Sequence, residues 1–140
     1  MDEEAVDVNE RIVRFFEGRP EVVAVYLFGS CARGRAKETS DVDLAVLVDP
    51  RAGEEEAQLK RDLVIGLSSV LRKEIHLVIL NRAGELLSAQ VFRYGKCLYN
   101  SKPSVLSQFR MVQFSKIADF AYLRSMMERG FTRKVMEGEG

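Results

Sequence analysis

The sequence predicts a single domain of the α/β or α+β class, with a small mixed β-sheet flanked by helices. Three observations predict it. Three short runs, Val22–Phe28, Val42–Val48 and Ile75–Leu80, are rich in β-branched and aromatic residues and bounded by turn formers, as strands are. They alternate with stretches whose apolar residues recur at helical spacing. The 140 residues, 46% hydrophobic and 30% charged, make an ordinary globular composition with enough chain for one real core.

Residues 4–18 carry Val6, Val8, Ile12, Val13, Phe15 and Phe16 at roughly helical spacing, and Gly18 and Pro20 close that helix. Val22–Phe28 reads as a buried strand, ended by Gly29-Ser30. A short helical turn from Ser30 to about Ala36 follows, and Val42–Val48 is the second strand. Pro50 and Gly53 break the chain. Glu54–Leu71 reads as an amphipathic helix with Leu59, Leu63, Leu67 and Val70 inside, its acidic first turn favourable to the helix dipole. Ile75–Leu80 is the third strand, Gly84–Tyr94 a helix and Lys96–Tyr99 a short extended piece. After Pro103 a helix can run to about Arg129.

Composition excludes several classes. Lys+Arg and Asp+Glu are 21 each, so there is no basic excess for bulk nucleic-acid binding. The acidic start, Met1-Asp2-Glu3-Glu4, has no apolar signal-peptide core, and the longest strongly apolar run is far below the ~20 residues of a membrane span. Two cysteines without metal-ligand spacing point to a reducing cytoplasm. The lone histidine, His76, sits in an apolar run, which leaves little room for a His-based zinc site or a Ser-His-Asp triad.

The stretch that carries chemistry runs from Leu27 to Leu44. Gly29-Ser30 follows a buried strand and precedes a helical turn. Glycine allows a tight turn and close approach to a ligand, and freed N–H groups with the Ser30 hydroxyl suit a phosphate. Asp41-Val42-Asp43 opens the next strand, where residues two apart share a face. Two carboxylates held that close repel unless a cation lies between them, and oxygen ligands of this kind suit Mg2+ or Mn2+. A phosphate cradle beside a carboxylate pair describes metal-assisted phosphoryl or nucleotidyl transfer.

Each element also has a plainer reading. Asp-x-Asp alone is usually a solvated strand end, but Gly29-Ser30 at this spacing argues against that here. Gly29-x4-Gly34-Arg35-Ala36 superficially matches a Walker loop and lacks its lysine and hydroxyl. Cys31 reads as a small filler rather than an activated thiol. Arg33, Arg35 and Lys37 fit a solvated loop as well as substrate contact.

Gly29-Ser30, ten intervening residues and Asp41-x-Asp43 resemble the signature of the DNA polymerase β-type nucleotidyltransferase superfamily. The fuller run, FGSCARGRAKETSDVDLAV, resembles the minimal nucleotidyltransferases, many of which act as antitoxins beside a helical HEPN-domain toxin. The resemblance spans about Val22 to Tyr99 and includes the Gly95-x-x-Leu98-Tyr99 ending. It implies that Gly29 and Ser30 hold a nucleoside triphosphate, with Arg33 and Arg35 near phosphates or acceptor. Asp41 and Asp43 would bind Mg2+ and serve catalysis. The family's third carboxylate falls at His76, so either His76 or Glu74, two residues away on the same face, would stand in for it.

By that resemblance the activity is transfer of a nucleoside monophosphate, AMP from ATP, to a hydroxyl of a HEPN-type partner. The alternative is a catalytically weakened nucleotide-binding antitoxin acting by protein contact. A free-standing transferase for a small molecule such as an aminoglycoside would need an enclosing domain this chain lacks.

Residues 1–100 form the expected transferase core and carry 14 basic and 17 acidic groups, a net of −3. Residues 101–140 form a helical extension of the same domain with 7 basic and 4 acidic groups, a net of +3. Along that helix Val105, Phe109, Val112, Phe120, Leu123 and Met127 share one face, while Leu106, Met111, Phe114, Ile117, Ala118 and Ala121 lie broadly opposite. Two apolar stripes predict one face on the core and another on a partner, homo- or hetero-oligomeric; a break near Gln113–Lys116 is the competing expectation.

Overall fold

The sheet is built around β1 (Val22–Phe28), whose residues 22–27 are all buried because both faces are covered. A computed structural model describes residues 3–29, 41–52 and 55–138; the expected turn from Ser30 to Ala36 lies outside them. β1 pairs antiparallel with β2 (Val42–Val48) on one side and β4 (Lys96–Asn100) on the other, and β2 pairs parallel with β3 (Ile75–Ile79). The order is β3-β2-β1-β4, a four-stranded mixed sheet.

Helices cover both faces. α1 (Glu3–Glu17) and α2 (Glu56–Leu71) bury Ile12, Phe16, Leu59, Leu63, Leu67 and Leu71 against Val42, Leu44, Val46 and Val48 of β2 and Ile75, Leu77 and Ile79 of β3. α3 (Glu85–Tyr94) and α4 (Pro103–Gly138) cover the other face, where Val91, Phe92 and Leu106 meet Tyr26, Ala45 and Leu47. Each fully buried Leu, Ile, Val or Phe contributes about 1.5–3 kcal/mol, so this two-sided core carries the fold.

Three expectations need correction. In α2 the inward stripe is Leu59, Leu63, Leu67 and Leu71, a strict four-residue step, and Val70 is exposed. The third strand stops at Ile79, and Leu80–Arg82 forms a 3-10 turn. That turn is pinned by Asn81, whose amide donates to the Val48 carbonyl at 2.8 Å and accepts from the Val48 N–H at 2.9 Å.

The third correction concerns α4. It is continuous over 36 residues, about 54 Å at 1.5 Å per residue, with no break near Gln113. Neither expected stripe is its packing face. Leu106 and Gln113 are buried, and Val105 and Phe109 pack partly on the core, drawing on both stripes. The cause is Phe92 of α3, whose ring lies 6.0 Å from Phe109 and 6.2 Å from Phe114 and sets the rotation of α4. Beyond this contact Leu123, Met126 and Met127 are exposed; the Phe120 side chain lies outside the described residues. No helix among the described residues is long and apolar enough to cross a membrane.

Candidate active site

Strand pairing alone gathers the chemistry-bearing residues. β1 ends where β2 begins, with Phe28 opposite Asp43, so Gly29 comes down beside the Asp43 side chain. The parallel β2–β3 register sets Asp43 opposite His76, and the Val42 N–H donates to the Glu74 carbonyl at 3.0 Å. Val42 and Leu44, and Ile75 and Leu77, face the α1/α2 core. By alternation Asp41, Asp43, Glu74 and His76 therefore share the opposite face, at the end of the sheet where β1 stops.

Gly29 has a chemical reason to be glycine. Its φ is 76°, left-handed, and an added Cβ would run into the Asp43 carboxylate. The backbone of the turn thus lies directly against one of the two carboxylates singled out in the sequence. Asp43 is half-buried, and burial raises its pKa above the ordinary carboxylate value. Repulsion from Asp41 pushes the same way, while His76 pulls it down.

His76 Nε2 lies 3.2 Å from Asp41 Oδ2 and 3.5 Å from Glu74 Oε1. One donor atom from each of Asp41, Glu74 and His76 fits within 4.8 Å of the others, and all three residues are exposed. The structure thus brings together Gly29, Asp41, Asp43 and His76 as the sequence predicts, with Glu74 beside them. Ser30, Arg33 and Arg35, expected to hold the nucleotide, lie outside the described residues, as does Cys31. Two carboxylates on one exposed face with further donors alongside are a donor set that fits a hard or borderline divalent cation.

What sequence reasoning missed lies elsewhere. Asp49, at the far end of β2, takes Lys102 Nζ at 2.5 Å and the Arg51 N–H at 2.9 Å. Nothing local signals the link to Lys102, which lies 53 residues along the chain.

The comparisons with known proteins agree with this geometry. Residues 10–104 match the family model described as polymerase beta nucleotidyltransferase. The protein adenylyltransferase MntA of Shewanella oneidensis is 32% identical over 94 residues, which is 67% of this chain and 66% of that protein, just under two thirds of its length. A crystal structure of a toxin-antitoxin with AMP-PNP superposes with a TM-score of 0.68 at 26% identity, covering 89% of this chain and 98% of that one. The toxin-antitoxin MntA-HepT structure gives 0.65 over 91% and 98%; at 23% identity it speaks for the fold alone. With this sheet order, this acidic end and this family match, the chain belongs to the polymerase β-type nucleotidyltransferases.

Proposed function

We propose that the protein transfers AMP from ATP to a hydroxyl group of a protein partner, a HEPN-type toxin, and so acts as its antitoxin. The observation that carries this reading is the end of the sheet, where Gly29 abuts Asp43 and Asp41, Glu74 and His76 crowd alongside. The similarity to a protein adenylyltransferase and to a toxin-antitoxin that binds AMP-PNP supports the choice of nucleotide and partner.

In this mechanism Gly29, Ser30, Arg33 and Arg35 line the triphosphate. Asp41 and Asp43 hold a divalent cation, Mg2+ or Mn2+, with His76 as the third group at the site. When bound, the cation supplies charge neutralisation on the phosphates and at the pyrophosphate leaving group. The acceptor hydroxyl oxygen attacks the α-phosphorus in line. The bond to the β-phosphate oxygen breaks, pyrophosphate leaves and the hydroxyl proton passes to solvent. Burial raises the Asp43 pKa and the neighbouring Asp41 pushes it the same way, a repulsion that a bound cation would relieve.

The acceptor comes from another molecule. We assign residues 1–100 to the transferase core and 101–140 to a basic helical extension that offers a docking surface. α4 starts beside Val23, where the Ser101 N–H donates at 2.8 Å, and by Phe109 and Phe114 it has reached Phe92, which packs on Tyr26. It thus runs back toward the end of the sheet that carries the acidic residues, with Leu123, Met126 and Met127 exposed further along. Dependence on ATP and a composition of two cysteines fit a cytoplasmic setting.

His76 at the third position favours a second reading, an antitoxin that binds nucleotide and toxin without transfer. Mass spectrometry of the chain with a HEPN-domain partner, ATP and Mg2+ or Mn2+ separates the two. AMP adducts on the partner that vanish with Asp41→Asn/Asp43→Asn are expected. A stable complex with no adduct under either cation sinks the transfer reading.

A further inference from the structure

The pairing of β2 with β3 leaves two side chains at the site whose chemistry differs from that of Asp41 and Asp43. His76 offers a nitrogen donor, and Glu74 a carboxylate from the residue just before the first β2–β3 pair. We infer that Glu74 and His76 complete the cation site with Asp41, and that this mixed nitrogen–oxygen set selects a first-row transition cation such as Mn2+ over Mg2+. The inference rests on the proposed function for the location and purpose of the site.

Geometry and donor chemistry carry it together. Adjacent ligand atoms around a cation bound at about 2.1 Å lie ~3 Å apart. The His76–Asp41 separation of 3.2 Å and the His76–Glu74 separation of 3.5 Å are already close to that spacing. The strand register fixes His76 directly, and Asp41 and Glu74 each sit one residue before the first pair, Val42–Ile75, where the Val42 N–H donates to the Glu74 carbonyl. The side chains stay open to ions from solvent, at 47% exposure for Asp41, 51% for His76 and 72% for Glu74.

Mg2+ takes oxygen ligands, keeps several of its waters and gains little from an imidazole. Transition cations accept imidazole readily, and a set dominated by carboxylates suits Mn2+ among them. A plain ion pair is the rival account: an imidazolium between two carboxylates, which contributes little at such exposure. The two accounts differ in whether the imidazole nitrogen touches a bound metal.

The test uses the full chain alone, without partner or nucleotide, so it does not depend on transfer. Mn2+ is titrated while electron paramagnetic resonance follows the free ion, with Mg2+ as competitor. Pulsed measurements then look for nitrogen coupling to bound Mn2+. The wild-type chain is expected to show imidazole coupling and a preference for Mn2+ over Mg2+ of about tenfold or more. His76→Gln removes the coupling, and Glu74→Gln weakens Mn2+ binding by about tenfold. His76→Asp removes the coupling and strengthens Mg2+, bringing the two cations toward parity. Absence of nitrogen coupling in the wild-type chain, or Mn2+ binding unchanged in His76→Gln, overturns the inference. Either result leaves the adduct assay on Asp41 and Asp43 standing. A coordinated His76 without any adduct would keep the inference and remove the transfer reading. Far-UV circular dichroism of the three variants checks that these exposed substitutions leave the fold intact.

Discussion

β2 carries aspartates at both ends, and the two ends are built to opposite rules. At its far end Asp49 is almost fully buried yet answered, by Lys102 at 2.5 Å and the Arg51 N–H, which hold its pKa below the ordinary carboxylate range. Asn81 and Ser101 satisfy the neighbouring backbone there, Ser101 Oγ donating to the Val22 carbonyl at 2.9 Å. At its near end Asp43 is raised by burial and by Asp41, and His76 draws it back down. The far end spends its charges on holding β2, β4 and α4 together. The near end keeps Asp41 and Asp43 in mutual repulsion, a cost to folding that, on the proposed function, a cationic ligand relieves. On that reading, the difference separates a structural aspartate from one kept for a ligand.

The sharpest way to break this comparison is to exchange the consequences of the two ends. Asp41→Asn/Asp43→Asn should reduce AMP transfer by about three orders of magnitude, the scale at which a cation stabilises transition-state charge, without lowering the thermal midpoint. Asp49→Asn should lower the thermal midpoint and leave transfer per folded molecule unchanged. Transfer rates beside melting curves for both variants decide it. A near-end pair that melts well below wild type would show that these aspartates also hold the fold.

Next in size is Gly29→Ala. It combines left-handed strain, about 1–2 kcal/mol, with a clash against the Asp43 carboxylate. Gly84 separates the two contributions, since its φ is 84° and an added Cβ there meets nothing within 4 Å. Gly84→Ala is therefore expected to cost stability alone. Gly29→Ala is expected to cost more stability and also to lower transfer by about ten- to a hundredfold, through a displaced carboxylate. Equal effects of the two substitutions on both readouts would remove the Gly29–Asp43 contact from the mechanism.

How much of this was legible in the sequence follows the range of the interactions. Gly29 and Asp41-x-Asp43 could be read because strand alternation is local, and three of the four strands could be read from β-branched runs, while β4 read only as a short extended piece. The choice of Leu71 over Val70 as the last buried residue of α2 could not, because adjacent positions differ by 100° and both are apolar. The packing face of α4 is set by Phe92 on another helix, and Asp49 by a lysine 53 residues away. Both are products of tertiary assembly. His76 lies between these cases: its strand was evident, but its placement opposite Asp43 depends on the parallel register with β2.

The smallest expected effect is the pH dependence of folding, and there the two ends should differ in sign. The Asp49 pKa is lowered on folding, so its stabilisation is present above the unfolded carboxylate value, ~3.9, and is lost as pH falls through the lower folded value. Asp43 is raised on folding. Its contribution is present below ~3.9 and lost as pH rises through the folded value, leaving a net penalty at neutral pH. Urea midpoints should therefore show Asp49→Asn below wild type at pH 7, with the gap narrowing at pH 3. Asp43→Asn should match or slightly exceed wild type at pH 7, with the excess vanishing at pH 3. Saturating Mn2+ should narrow that excess by stabilising wild type more than Asp43→Asn, because a bound cation replaces repulsion with attraction at the near end and leaves the far end untouched. If instead Asp43→Asn falls below wild type at pH 7 without metal, the near-end carboxylates are already compensated within the protein, and the contrast between the two ends of β2 fails.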